Sequence, residues 1–118
     1  PNFDMIVNYP IARSMQRHIE AIGLDMPAAR PEPPSGSTDW GNISYLMPSV
    51  ETSYPILDRV CTWHSQDVVD ASNSELGYAN TLKIAKAMAL TGIDLLSNPE
   101  LLATAKAEFA REKKARQS

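Results

Sequence analysis

Two short segments of this 118-residue chain carry residue types that could bind a ligand. The first is the glycine- and hydroxyl-rich run 36–42, where the candidate binding residues are Gly36, Ser37, Thr38 and Asp39. Consecutive small residues expose backbone N–H groups that can bind a carboxylate or phosphate, above all where a helix begins. The same residue types also favour an ordinary N-capped turn, because their side chains compete for backbone donors. The residue types alone leave both interpretations open.

The second segment is 62–65, in which His64 ends an apolar stretch and precedes a polar one. A histidine in such a place can bind a metal through one ring nitrogen while a partner orients the other. A zinc site takes three or four ligands, and this chain has two histidines and one cysteine, so carboxylates would have to complete it. Nothing in the spacing of the acidic residues selects any of them. The alternative is a histidine with a structural role.

The elements that must position these residues begin with a helix over residues 10–22, where apolar side chains recur at helical spacing. Gly23 follows at the place where a left-handed residue ends a helix. The prolines of residues 27–34 predict an extended, non-helical segment. The β-branched and aromatic content of residues 43–50 and 54–62 predicts two short strands, although each contains a proline.

Helices are predicted for the rest of the chain. A short one spans residues 67–71 and a long one spans 74–96. A last helix begins at residues 98–100, where a capping asparagine, a first-turn proline and an acid follow one another. The long helix has one apolar face, formed by Tyr78, Leu82, Ala85, Ala89, Ile93 and Leu96. The last helix is predicted to bury Leu101, Leu102, Ala105 and Phe109.

Composition and charge argue against two classes of partner. No apolar run approaches the roughly 18–20 residues of a membrane span, so we expect no membrane insertion. The net charge of −3 provides no overall basic field, so we expect no nucleic-acid binding. Residues 106–118 nevertheless carry +3, which fits a solvated helix end or a contact for an acidic partner. The single Cys61 cannot form an internal disulfide, which fits a reducing compartment and an expected cytoplasmic location.

The order of several motifs is more specific than any one of them. Residues 34–44, 48–50 and 63–65 follow one another, with 71–78 and 85–89 after them. This succession resembles the C-terminal part of the peptidase M-twenty family, metal-dependent amidohydrolases that include aminoacylases, carboxypeptidase G and aminobenzoyl-glutamate hydrolases. The resemblance covers about residues 11–96, which is most of the chain.

The resemblance implies cleavage of amide bonds in N-acyl amino acids or small dipeptides with two divalent metal ions, expected to be zinc. It implies that His64 is a metal ligand and that Gly36, Ser37, Thr38 and Asp39 contact the substrate. The family's other metal ligands and its glutamate general base lie in an N-terminal region that has no counterpart here. We therefore expect at most a partial metal site and no catalytic residue in this chain.

The resulting fold prediction is an α/β fragment, mostly helical with two short strands, from the C-terminal part of a zinc-peptidase catalytic domain. Residues 1–9 would end a lid-domain strand, 10–97 would belong to the catalytic domain, and 98–118 would form a C-terminal helix with a basic tail. Since the chain does not begin with Met, we expect a trimmed or excised segment, inactive without the missing N-terminal region. The alternative is a non-catalytic helical module that mediates interaction or homodimerisation.

Overall fold

The computed structural model describes residues 4–24, 26 and 38–116, which form α-helices joined by irregular segments. Gly36, Ser37 and the proline-rich run 27–34 lie outside the described residues. Helices α1, α4 and α5 pack on one another, and α3 packs on α4. Within the described residues, no helix is both long enough and apolar enough to cross a membrane. In chain order the helices are α1 (Tyr9–Ile22), α2 (Trp40–Ser44), α3 (Gln66–Ser72), α4 (Glu75–Ser97) and α5 (Pro99–Ala115).

Local sequence signals account for where the longer helices begin and end. Gly23 ends α1 in the left-handed conformation, with φ of 69°. The Ser74 hydroxyl accepts from the Gly77 N–H and starts α4, and the Asn98 side chain accepts from two N–H groups of the first turn of α5. The predicted helices over residues 10–22, 67–71 and 74–96, and the restart at Asn98, are therefore confirmed.

The predicted strands over residues 43–50 and 54–62 are wrong. Ile43 belongs to α2, and residues 45–65 form turns, bends and irregular backbone, with no strand among the described residues. Pro48 and Pro55 each remove a backbone donor. Strand propensity also depends on packing against a neighbouring strand, and two isolated strands are marginal in water. The structure therefore supports a mostly helical fold that fits a fragment of a larger domain.

The long helix α4 packs on its neighbours through a different face from the predicted apolar one. Its buried positions are Gly77, Asn80, Ile84, Ala87 and Thr91. Every member of the predicted face is exposed, and Leu96 is 90% exposed. The core instead lies between α1 and α4, at Met15, Ile19, Leu24, Ile84 and Ala87. A helix that is apolar on both sides is typical of one buried between two layers.

The last helix buries less than predicted. Ala105 is fully buried, while Leu101 and Phe109 are half-buried and Leu102 is exposed. The prediction that Leu102 is buried is therefore wrong, because α5 packs on α1 and α4 along one narrow stripe only.

Asn8 joins the start of α1 to the middle of α5. Residues 4–8 form no strand, but the Asn8 side chain is 2% exposed and donates to the Ala105 carbonyl oxygen at 2.8 Å. Its Oδ1 atom accepts from the Ile11 N–H at 3.4 Å, which caps α1. The Tyr9 N–H donates to the Glu108 carboxylate at 2.7 Å. These contacts explain why α5 lies against the beginning of α1.

Asn8→Asp is expected to destabilise the chain although it preserves the cap. The carboxylate would still accept from Ile11, but it has no donor for the Ala105 carbonyl and would be buried against it. We expect a loss of about 2–3 kcal/mol of unfolding free energy in urea, from a buried charge left without its partner. Asn8→Ser, which keeps a capping hydroxyl without the charge, is the control and should cost less. Equal stability of Asn8→Asp and the parent chain would contradict the contact with Ala105.

Candidate functional site

The described part of the glycine- and hydroxyl-rich loop is a turn that leads into α2. The Thr38 hydroxyl accepts from the Trp40 N–H at 3.2 Å, which occupies one of the donors at the beginning of α2. Asp39 precedes α2 with its side chain exposed and without a capping hydrogen bond. The Thr38 hydroxyl is therefore engaged in a local turn contact, while the Asp39 carboxylate is exposed. The substrate contacts predicted for Gly36 and Ser37 fall outside the described residues.

His64 lies in a tight turn with unusual backbone geometry. Its φ is +61°, in the left-handed region, and its side chain is exposed. A residue other than glycine in this conformation costs about 1–3 kcal/mol, and such residues cluster at functional sites. The neighbouring Trp63 is 71% exposed. An exposed imidazole in a strained turn differs from a packed structural histidine.

The described residues do not form a complete metal centre. No three histidine, cysteine, aspartate or glutamate side chains among them are placed to hold one ion. No hydrogen bond or ion pair in this part of the chain joins His64 to Thr38 or Asp39. His64 could therefore supply at most one ligand, and a zinc ion would need its other ligands from elsewhere.

A cavity of about 360 Å³ adjoins the loop that contains Thr38 and Asp39. Sequence reasoning missed it, because its wall comes from α1, the start of α2, residues 50–52 and α4. Most of the wall is apolar, and Glu51 is its one charged side chain among the described residues. The lining residues are Met15, Trp40, Val50, Glu51, Thr52, Met88, Thr91, Gly92 and Leu95.

A polar cluster centred on Asp94 links α1 to α4. The buried Ser14 hydroxyl donates to the Asp94 Oδ2 atom at 2.6 Å, and His18 Nε2 donates to the same oxygen at 2.8 Å. The Arg17 guanidinium lies 3.9 Å from it. Although serine, histidine and aspartate meet here, both donors bind the carboxylate and neither activates the other, so this is not a nucleophile–base pair. Ser14 and His18 lie 80 and 76 residues before Asp94 in the sequence, so no local motif predicts the cluster.

This cluster predicts acid sensitivity. Hydrogen bonds from Ser14 and then His18 hold the pKa of Asp94 below its ordinary value of 3.8. A lowered pKa means that the carboxylate stabilises the folded chain at every pH above 3.8, and that this stabilisation disappears as the pH falls through the lower folded value. The urea midpoint should therefore fall as the pH decreases from 3.8 to the lower folded pKa of Asp94, and Asp94→Asn should reduce the slope of this fall. An identical acid profile in Asp94→Asn would contradict this role of Asp94.

Among known proteins, the chain matches two curated sequences. No protein-family model matches the chain, and no solved structure does so. Xaa-Arg dipeptidase from Homo sapiens and Xaa-Arg dipeptidase from Mus musculus are each 36% identical to the chain over 76 residues. The matched segment is 64% of this chain but 17% of each relative, so the chain spans a small part of the curated relatives' length. This similarity supports a relationship to the peptidase M-twenty enzymes that the ordered motifs resemble.

Proposed function

We propose that this chain is part of a peptidase that hydrolyses small dipeptides. The observation that carries the proposal is the 36% identity over 76 residues to proteins named Xaa-Arg dipeptidase. That name describes dipeptides with a C-terminal arginine, and we extend the same substrate class to this protein. N-acyl amino acids, which the motif resemblance also implies, are the second substrate class to test.

Within this proposal, His64 supplies one ligand to a divalent metal, expected to be zinc. Two features support the assignment: the imidazole is exposed, and the backbone holds it in a left-handed turn. Gly36, Ser37, Thr38 and Asp39 contact the substrate, and the exposed Asp39 carboxylate suits a contact with a substrate ammonium group. The general base and the other metal ligands belong to sequence outside this chain.

The test is an assay of the protein extended to the length of its relatives. We expect the extended protein, supplied with zinc, to release free arginine from an Xaa-Arg dipeptide and to lose this activity with a chelator. The 118-residue chain alone is the matched control and should release none. Absence of hydrolysis of both dipeptides and N-acyl amino acids by the extended, zinc-loaded protein would contradict the proposal.

A non-catalytic interaction module is the second candidate, and the exposed face of α4 favours it. Four large apolar side chains lie on that face, each more than half exposed: Tyr78, Leu82, Ile93 and Leu96. An exposed apolar surface of this kind is typically covered by a partner protein. We propose that the partner is a second copy of the chain. Sedimentation of the 118-residue chain at micromolar concentration should then show a dimer that Leu82→Lys disrupts. A compact monomer would contradict this candidate.

A further inference from the structure

The cavity between α1 and α4 has the features of a ligand pocket. Its volume of about 360 Å³ falls within the usual range of about 300–1,000 Å³ for small-molecule sites. Met15 lies on one wall, and Met88 and Leu95 lie on α4. Such walls favour the methylene groups of a flexible stem over a compact polar ligand, because burial of apolar surface drives the binding.

Glu51 gives this apolar cavity a preference of charge. Its side chain is exposed, and it makes no hydrogen bond or ion pair within the described part of the chain. No lysine or arginine lines the cavity among the described residues. A carboxylate next to an apolar wall therefore attracts a cation and repels an anion. The Trp40 ring, also part of the lining, adds a surface on which a cation can stack.

Gly92 determines how much room the cavity has on the side of α4. A Cβ atom at this position would meet no other atom within 4 Å, so the helix leaves open space where a side chain would stand. Gly92 lies one residue from Thr91, whose hydroxyl already donates to the Ala87 carbonyl oxygen at 2.8 Å. The wall of α4 at this point is therefore small and without a free donor.

We propose that this cavity binds a cation carried on an apolar stem, such as the side chain of lysine or arginine. The stem would lie against Met15, Met88 and Leu95, and the cationic head would pair with the Glu51 carboxylate at the rim. Identifying this cation as a substrate side chain rests on the proposed dipeptidase function, whereas the preference of the cavity for a cation does not. The loop residue Asp39 is the neighbour of Trp40 in sequence, which places the cavity beside the proposed substrate-binding loop.

The test is a binding titration of the 118-residue chain followed by proton–nitrogen NMR. The probes are butylguanidinium, 1-hexanol and hexanoate, which compare a cation, a neutral molecule and an anion on apolar stems. We expect butylguanidinium to shift the backbone amides of Thr52 and Gly92 and to bind more tightly than the other two. In Glu51→Gln its affinity should fall about fivefold, the upper range for an exposed ion pair.

Two further variants keep the result interpretable. Glu20→Gln removes an exposed carboxylate that accepts from Gln16 on α1 and does not line the cavity, so it should leave the affinity for butylguanidinium unchanged. Gly92→Leu places a side chain into the open space and should reduce the affinity for all probes. Equal binding of 1-hexanol and butylguanidinium, or an unchanged affinity in Glu51→Gln, would overturn the proposal. Because no hydrolysis is measured, cation binding can fail while the dipeptidase function holds, and the reverse.

Discussion

Alanine at Gly77 is expected to destabilise the chain, whereas alanine at Gly92 in the same helix is expected to stabilise it. At Gly77, a Cβ atom would lie 2.4 Å from the backbone carbonyl oxygen of Ala71, at the junction of α3 and α4. This contact cannot be relieved by a side-chain rotation, because the obstructing atom belongs to the backbone. The Ser74 hydroxyl, which accepts from the Gly77 N–H at 3.0 Å, would lie 3.3 Å from the new Cβ atom. We expect a loss of about 1–3 kcal/mol, the usual range for overpacking.

The opposite result at Gly92 follows from helix propensity. The new methyl group would meet no atom within 4 Å, and the residue lies in the interior of α4. Alanine at such a position gains about 0.5–1 kcal/mol over glycine, because glycine loses more backbone entropy on folding. Urea unfolding of both variants measures the contrast directly. Stabilisation of both would show that α3 does not pack closely on the start of α4.

His64→Ala is expected to remove activity without removing stability. If His64 is a metal ligand in the extended protein, its loss should reduce the rate of dipeptide hydrolysis at least about 100-fold and lower the bound zinc, since even residues that only orient ligands cost about 10–100-fold. In the 118-residue chain, the unfolding free energy should change by less than about 0.5 kcal/mol, because the side chain is exposed. His64→Gly should be more stable than the parent by about 1 kcal/mol, since φ is +61°.

The other histidine is the matched control for this prediction. His18 donates to Asp94 and links α1 to α4, so His18→Ala should lower the stability of the 118-residue chain. It should leave the zinc content of the extended protein unchanged. If His64→Ala instead destabilises the chain and leaves zinc content intact, then His64 has a structural role and the proposed ligand is wrong.

Helices α1, α3, α4 and α5 were predictable because their signals are local. Ser74, Asn98 and Gly23 each act on backbone groups within a few residues, so their effect does not depend on the rest of the fold. The strands failed because a strand is stabilised by a partner that local sequence cannot supply. The ligand-binding roles of His64 and of residues 36–39 stay predictions. His64 and Asp39 are exposed as a ligand-binding role requires, but the Thr38 hydroxyl is engaged by the Trp40 N–H.

Local sequence accounts for the ends of α1, α4 and α5, and the ordered motifs agree with the similarity to the dipeptidases. Which face of α4 is buried depends on the packing of α1, α3 and α5 against it, because both faces of α4 carry apolar residues. The Asp94 cluster and the cavity beside Glu51 likewise form only in the folded chain, because their residues come from distant segments. Capping and helix periodicity are short-range effects, whereas burial and charge pairing depend on which segments the fold brings together.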